Sequence, residues 1–117
     1  FIELDILKAE KLFTAYDIIV SNPPYVRALE KVEIQNNVLK NEPHLALFVD
    51  DDNPLVFYDK IANLAKKHLS KNGVLFFEIN QYLGNETIQL LKQKEFKRVA
   101  LKKDLFKNDR MIKATLL

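Results

Sequence analysis

The chain has no cysteine, no tryptophan and only two glycines among its 117 residues. Without cysteine there can be no disulfide, no thiolate zinc site and no cysteine nucleophile, and the lack is in keeping with a cytoplasmic location. Gly73 and Gly84 are too few and too far apart for a G-x-G-x-x-G turn or a P-loop, so the phosphate-cradling loop that α/β cofactor enzymes carry is not in this stretch. Long hydrophobic runs are also missing. The longest, Leu45 to Val49, falls far short of the roughly 18 residues that a membrane-spanning helix needs, and no membrane partner is expected. A formal charge of +2 gives no reason to expect a polyanion partner. What remains, 48% hydrophobic and 29% charged, excludes collagen-like and disordered classes and suits a single globular domain.

Apolar runs predict strands at Phe1 to Leu4, Asp17 to Ser21, Gly73 to Ile79, Lys97 to Lys102 and Met111 to Leu116. Ile18-Ile19-Val20 and Val74-Leu75-Phe76-Phe77 do not alternate with polar residues, the pattern of parallel strands buried on both faces. Between them, Asn53 and Pro54 supply an N-cap and a first-turn proline. Leu55, Tyr58, Ile61, Ala62, Ala65 and Leu69 then repeat at helical spacing until Asn72-Gly73, which completes a right-handed βαβ unit. A second helix is expected near Asn85 to Lys94. The eight residues from Lys103 to Arg110 are too few for a helical crossover, so the last two strands should form an antiparallel hairpin. Ala28 to Asn41 reads as an irregular insertion with a short helix.

The chemistry is concentrated in Asn22-Pro23-Pro24-Tyr25, which a hydrophobic strand delivers to its C-terminal end, the edge of open α/β sheets where ligands bind. The prolines stiffen the turn and contribute no N–H. Left behind are acceptors, the Asn22 side-chain oxygen and the Pro23 carbonyl, beside the ring of Tyr25. Such a site suits a planar –NH2 group, with two in-plane donors and a flat face, and offers nothing to a carboxylate or phosphate. Transfer of a methyl group to the gripped nitrogen is the chemistry that fits best.

With its surroundings, this turn resembles the release-factor glutamine methyltransferases of the HemK/PrmC type. The supporting residues are Tyr16 to Ser21 before the turn, Glu42-Pro43 with Ala46-Leu47, Tyr58 and Ile61, Leu75 to Ile79, Asp104-Leu105, and Asp109-Arg110 with Ala114. The resemblance implies an α/β fold, the C-terminal half of a Rossmann-like class I methyltransferase fold, and makes residues 1–117 a partial methyltransferase domain. The glycine-rich cofactor loop and the N-terminal helical domain of the family lie outside it. It implies S-adenosyl-L-methionine as methyl donor and, as substrate, the glutamine of the Gly-Gly-Gln motif in class 1 peptide chain release factors. Asn22, Pro23 and Tyr25 would then be catalytic. Asn22, Pro23, Pro24 and Tyr25 would bind substrate, and Asp5, Ile6 and Asn22 would bind cofactor. Three positions depart from the family pattern: Phe48 to Asn53, Asn80 and Lys107 stand where glycines are usual.

Other features have plainer readings. Asp50-Asp51-Asp52 lacks calcium-loop spacing and reads as a solvated turn, so no metal is expected. His44 and His68 read as surface or helix-end residues, the lysines from Lys92 to Lys103 as a solvated face, and Arg110 as the partner of Asp104 and Asp109 in an ion pair. Two other functions compete. An adenine-N6 methyltransferase of DNA or RNA would use the same acceptor pair, and a non-catalytic fold fragment would expose the strand Asp17 to Ser21 and self-associate through it. Cofactor binding by the 117 residues alone is expected to be weak or absent.

Overall fold

A computed structural model describes residues 1–33, 40, 41 and 43–117. Four strands form the main sheet: β1 (Tyr16–Ser21), β4 (Leu69–Glu78), β5 (Lys97–Lys103) and β6 (Asp109–Thr115), in the order β1-β4-β6-β5. β1 and β4 are parallel, while β6 runs antiparallel to both β4 and β5. The expected parallel pair and final hairpin are therefore present. A two-residue parallel ladder joins β2 (Val26–Arg27) to β3 (Phe48–Val49). Helix α1 (His44–Leu47) precedes β3, α2 (Val56–His68) leads into β4, and α3 (Gly84–Gln93) leads into β5. Ala28–Glu33 is a 3-10 turn. Residues 34–39 of the expected irregular insertion lie outside the described residues.

Both long helices cover one face of the sheet. Leu75, Phe77, Ile112 and Ala114 project from that face into a core shared with Tyr58, Ile61, Ala62 and Ala65 of α2 and Leu91 of α3. Tyr58 is fully buried edge-on to Phe77, ring centroids 5.0 Å apart, and its hydroxyl donates to the Glu78 carbonyl at 3.0 Å. That bond satisfies a polar group that burial would otherwise leave costly. Ion pairs Lys94–Asp59 (2.8 Å) and Lys66–Glu95 (2.9 Å) link α3 and the turn after it to α2.

Several expectations are corrected. The strand residues are not buried on both faces: Ile18 is 60% and Val20 73% exposed, because both helices lie on the opposite face and no described element covers this one. Phe1 to Leu4 is not a strand, since no described strand takes up its backbone hydrogen bonds and an unpaired strand is unstable. Asn53 does not cap α2. Leu55 stands at the N-cap, and the Asn53 carbonyl instead accepts the Val56 N–H at 3.3 Å in the preceding turn. The helix stops at His68, well before Asn72-Gly73. Leu69 already pairs with Tyr16, and a bulge then carries the strand to Val74 opposite Ile18. Gly73 serves that bulge by close approach, since a Cβ there would lie 3.0 Å from the Ser70 carbonyl oxygen. Arg110 pairs with Asp104 alone of its two expected partners, and Asp109 pairs with Lys103. No described helix is long and apolar enough to cross a membrane.

The β5–β6 hairpin closes through Asp104, whose Oδ1 accepts the N–H groups of Phe106 (2.9 Å) and Asn108 (3.0 Å). Lys107 then takes φ 66°, the left-handed region that glycine occupies without a steric cost. That conformation explains why glycine is usual at this position. Lys107→Gly should remove a left-handed penalty of roughly 1–2 kcal/mol while adding about 0.5–1 kcal/mol of unfolded-state entropy, for a net gain of about 0.5–1 kcal/mol. A urea midpoint that falls in the variant would contradict this account of the turn.

Candidate active site

β1 ends at Ser21, and the chain leaves the sheet through Asn22-Pro23-Pro24-Tyr25 at the C-terminal edge of the parallel pair. Prolines cannot extend the ladder, so the strand must stop here. Asn22 is exposed and Pro23 buried. Among the described residues nothing donates to the Asn22 side-chain oxygen or to the Pro23 carbonyl, which leaves both acceptors available to a ligand.

Tyr25 is held at both ends. Its hydroxyl donates to Glu78 Oε1 at 2.6 Å and accepts from Arg110 Nη1 at 3.4 Å. Its backbone carbonyl accepts from Asn80 Nδ2 at 2.9 Å. Burial, and then the hydrogen bond to Glu78, push the Tyr25 phenol up to about 12, with Arg110 opposing. The phenol is therefore a neutral donor throughout the physiological range. Arg110 is itself oriented by Asp104, whose Oδ2 accepts from Nε at 3.2 Å. Partial desolvation raises the Asp104 carboxyl, but hydrogen bonds from the Asn108 N–H, Arg110 and the Phe106 N–H outweigh it and hold the group below its ordinary value.

Beside the turn lies a cavity of about 260 Å³, whose walls include Ile6, Ile19, Pro23, Pro24, Phe57 and Ile61. Among the described residues, Ser21 is the only polar one in its lining. Such walls can take a flat, apolar-faced body and cannot satisfy a carboxylate. The structure thus gathers Ile6, Pro23 and Pro24 around one space. Asn22, between two lining residues, stands at the rim, while Asp5, Asn22 and Tyr25 do not line the cavity. Asp5 adjoins Ile6 and is exposed. One carboxylate oxygen accepts the Leu7 N–H at 3.1 Å and the other lies 3.4 Å from Lys8 Nζ, which leaves acceptor capacity for a hydroxyl or amino group. His68 closes α2 against this region: Nε2 accepts the Leu12 N–H and Nδ1 donates to the Thr14 carbonyl, both at 3.0 Å, so its role is structural.

Two residues in the site were not among the expected site residues: Glu30 carried no strong sequence signal, and Asn80 stood out only as a departure from the family's usual glycine. Glu30 is buried and accepts the Arg27 N–H at 2.8 Å and Arg27 Nη2 at 2.8 Å. Asn80 donates to both Glu30 oxygens, at 3.0 and 2.8 Å, as well as to Tyr25. Burial raises the Glu30 carboxyl, and the hydrogen bonds from Arg27 and Asn80 bring it below its ordinary value. The spacing of Arg27 and Glu30, three residues apart, was the one available hint. Among the described residues no group of three or more His, Asp or Glu side chains could hold a metal ion.

Comparison with known proteins gives this chain relatives. The chain is 63% identical over 113 residues to a release factor glutamine methyltransferase of Flavobacterium psychrophilum, covering 97% of this chain and 40% of that protein. It is 50% identical over 101 residues to the protein of the same name from Bacteroides thetaiotaomicron, covering 86% of this chain and 36% of that one. Over nearly its whole length the chain is thus similar to part of the release factor glutamine methyltransferases. A solved structure of protein-(glutamine-N5) methyltransferase (release factor-specific) from Alicyclobacillus acidocaldarius superposes with a TM-score of 0.54 at 25% identity, over 86% of this chain and 48% of that one. No family model matches the chain. It spans 40% and 36% of the length of these two curated relatives, and residues 22–25 of this chain are the Asn-Pro-Pro-Tyr turn.

The Tyr25–Glu78 bond has a measurable signature. Because the folded phenol titrates above its unfolded value near 10, its contribution to stability is complete below pH 10 and is lost as pH rises through about 12. In Glu78→Gln the Tyr25 midpoint, followed by tyrosinate absorbance, should move down toward 10. A midpoint that stays at about 12 would show that the carboxylate does not hold the phenol.

Proposed function

We propose that the whole protein is a cytoplasmic S-adenosyl-L-methionine-dependent methyltransferase that modifies the glutamine side-chain amide in the Gly-Gly-Gln motif of class 1 peptide chain release factors. The observation that carries this reading is the pair of unsatisfied acceptors, Asn22 Oδ1 and the Pro23 carbonyl, on a braced turn next to an apolar cavity. In this reading the 117 residues are the C-terminal part of the methyltransferase domain.

Asn22 Oδ1 and the Pro23 carbonyl accept the two N–H groups of the glutamine amide and fix its plane, so that the nitrogen lone pair points perpendicular to that plane. Pro24 and the Tyr25 ring back the turn. Ile6, Pro23 and Pro24 offer the apolar walls suited to the adenine end of the cofactor, with Asp5 as the acceptor beside them. Bound there, S-adenosyl-L-methionine supplies an electrophilic sulfonium methyl group. With that donor bound, the amide nitrogen would take the methyl as the carbon–sulfur bond breaks and the neutral thioether S-adenosyl-L-homocysteine leaves; one N–H proton would pass to water, and no side chain would have to act as a strong base. Among the described residues the cavity offers only the Ser21 hydroxyl as a side-chain donor to the carboxylate of the cofactor's methionine moiety, so the 117 residues alone are expected to bind the cofactor weakly or not at all.

The test is methyl transfer by the whole protein from labelled cofactor to a class 1 release factor, with an adenine-containing oligonucleotide as the competing acceptor. Label is expected on the Gly-Gly-Gln glutamine, and Asn22→Ala should lower kcat about a hundredfold or more. Label on the oligonucleotide alone would replace this function by adenine methylation.

The 117 residues by themselves should also self-associate through the strand Asp17 to Ser21. β1 is an edge strand, and Ile18 and Val20 leave its uncovered face apolar, which together favour pairing with a second copy. Sedimentation should show mass rising with concentration, and Val20→Lys should restore the monomer. A chain that stays monomeric at high concentration would exclude this contact.

A further inference from the structure

Asn80, which the sequence marked as a departure from an expected glycine, is 4% exposed, and both polar atoms of its side chain are engaged. Its Nδ2 lies within hydrogen-bond distance of the Tyr25 carbonyl and both Glu30 oxygens, and its Oδ1 accepts the Tyr82 N–H at 2.9 Å. Glu30 in turn grips Arg27 through its backbone N–H and its guanidinium. The segment immediately after Asn22-Pro23-Pro24 is thus tied by its backbone to the end of β4, at a position where glycine would leave no side chain to tie it. On the other side of the same residue, the Tyr25 hydroxyl is tied to Glu78 and Arg110.

We propose that Asn80, fixed by Glu30, is a positioning residue: it clamps the Tyr25 carbonyl and so sets the direction in which Asn22 and the Pro23 carbonyl face the substrate nitrogen. Asn80 does not touch the reacting atoms. Its effect passes along two peptide units that the prolines make stiff, so that a shift at the Tyr25 carbonyl is transmitted to Asn22 and is not absorbed between them. Glu30 matters because it occupies the second amide hydrogen. The two donors of Asn80 are then shared among the carboxylate and the Tyr25 carbonyl, and the amide cannot turn over without placing its oxygen against Glu30. The role of the clamp in catalysis rests on the methyltransferase reading, whereas its existence does not.

The two are separated by measuring them differently. In the 117-residue chain, Asn80→Gly should speed amide hydrogen exchange at Tyr25, Val26 and Arg27 by about tenfold or more, while amides of β4 and β6 keep their rates. Tyr25→Phe, which releases the opposite end, should raise the same amides and serves if Asn80→Gly does not fold. Lys107→Gly should leave them as they are. Unchanged exchange at Tyr25 and Val26 in either clamp variant would overturn the proposal. In the whole protein, Asn80→Gly should lower kcat about tenfold with less than a threefold change in KM for the release factor. Faster exchange with an unaltered kcat would show a clamp that positions nothing, and this too overturns the proposal. Faster exchange in Asn80→Gly, together with a wild-type whole protein that methylates no release factor, would leave the clamp standing and remove the methyltransferase reading instead.

Discussion

The hydrogen bond from the Tyr25 hydroxyl to Glu78 is the interaction on which the arrangement at the sheet edge depends. Two consecutive prolines deprive the turn of N–H groups, so it cannot be stabilised by its own backbone as an ordinary turn would be. It has to be held by side chains reaching it from elsewhere. They arrive from 53, 55 and 85 residues further along the chain, in Glu78, Asn80 and Arg110. Each stands at or just beyond the edge of the sheet where β4 ends and β6 begins, because β6 runs antiparallel to β4 and brings Arg110 back beside Glu78 and Ile79. The hairpin topology is therefore a requirement of the turn as well as of the core.

Much of this was legible in residue order. The turn, the two long helices, the parallel pair and the hairpin follow from proline placement, helical periodicity and connection length. What could not be read was anything set by neighbours across the sheet. Ile18-Ile19-Val20 has the composition of a strand buried on both faces, and composition carries no information about which face the helices choose. Asn53-Pro54 has the chemistry of a helix start, yet the first turn forms two residues later, where Leu55 and Phe57 can reach the core. Asn80 was noticed as a departure from a glycine but, like Glu30, not as a site residue, because both types are common in solvent-exposed loops and only burial against one another makes them a pair. Lys107 was noticed as a departure from a glycine, and the hairpin supplies the reason in its left-handed backbone.

The one-sided sheet bears on function. Cavity, turn and tethers all belong to β1, β4, β6 and the helical face, and this half is internally complete: its buried polar groups are paired, apart from Arg27 Nε among the described residues. The opposite face offers Ile18, Val20 and Phe76, an apolar row with a cation, Lys113 Nζ, 6.0 Å above the Phe76 ring. An apolar row along an edge strand is a surface meant to be covered. The relatives extend well beyond the region matched here. In the proposed function this part would fix the acceptor geometry, and the rest of the protein would supply the donors that a charged cofactor needs.

An acceptor site without a carboxylate is also the better solution for an amide nitrogen. The lone pair of an amide is delocalised, so the nitrogen becomes a nucleophile only in the geometry where that lone pair meets an electrophile directly. Neutral oxygens in the amide plane define this geometry without adding charge, and they strengthen as the N–H groups become acidic in the transition state, which is when a stabilising contact accelerates the reaction. A carboxylate at position 22 would bind the ground state at least as well and would attract cations and water to a rim that the prolines keep free of donors. Stiffness takes the place of charge here. Glu78, Asn80 and Arg110 supply it by hydrogen bonds at both ends of Tyr25, and in the proposed function none of them meets the substrate.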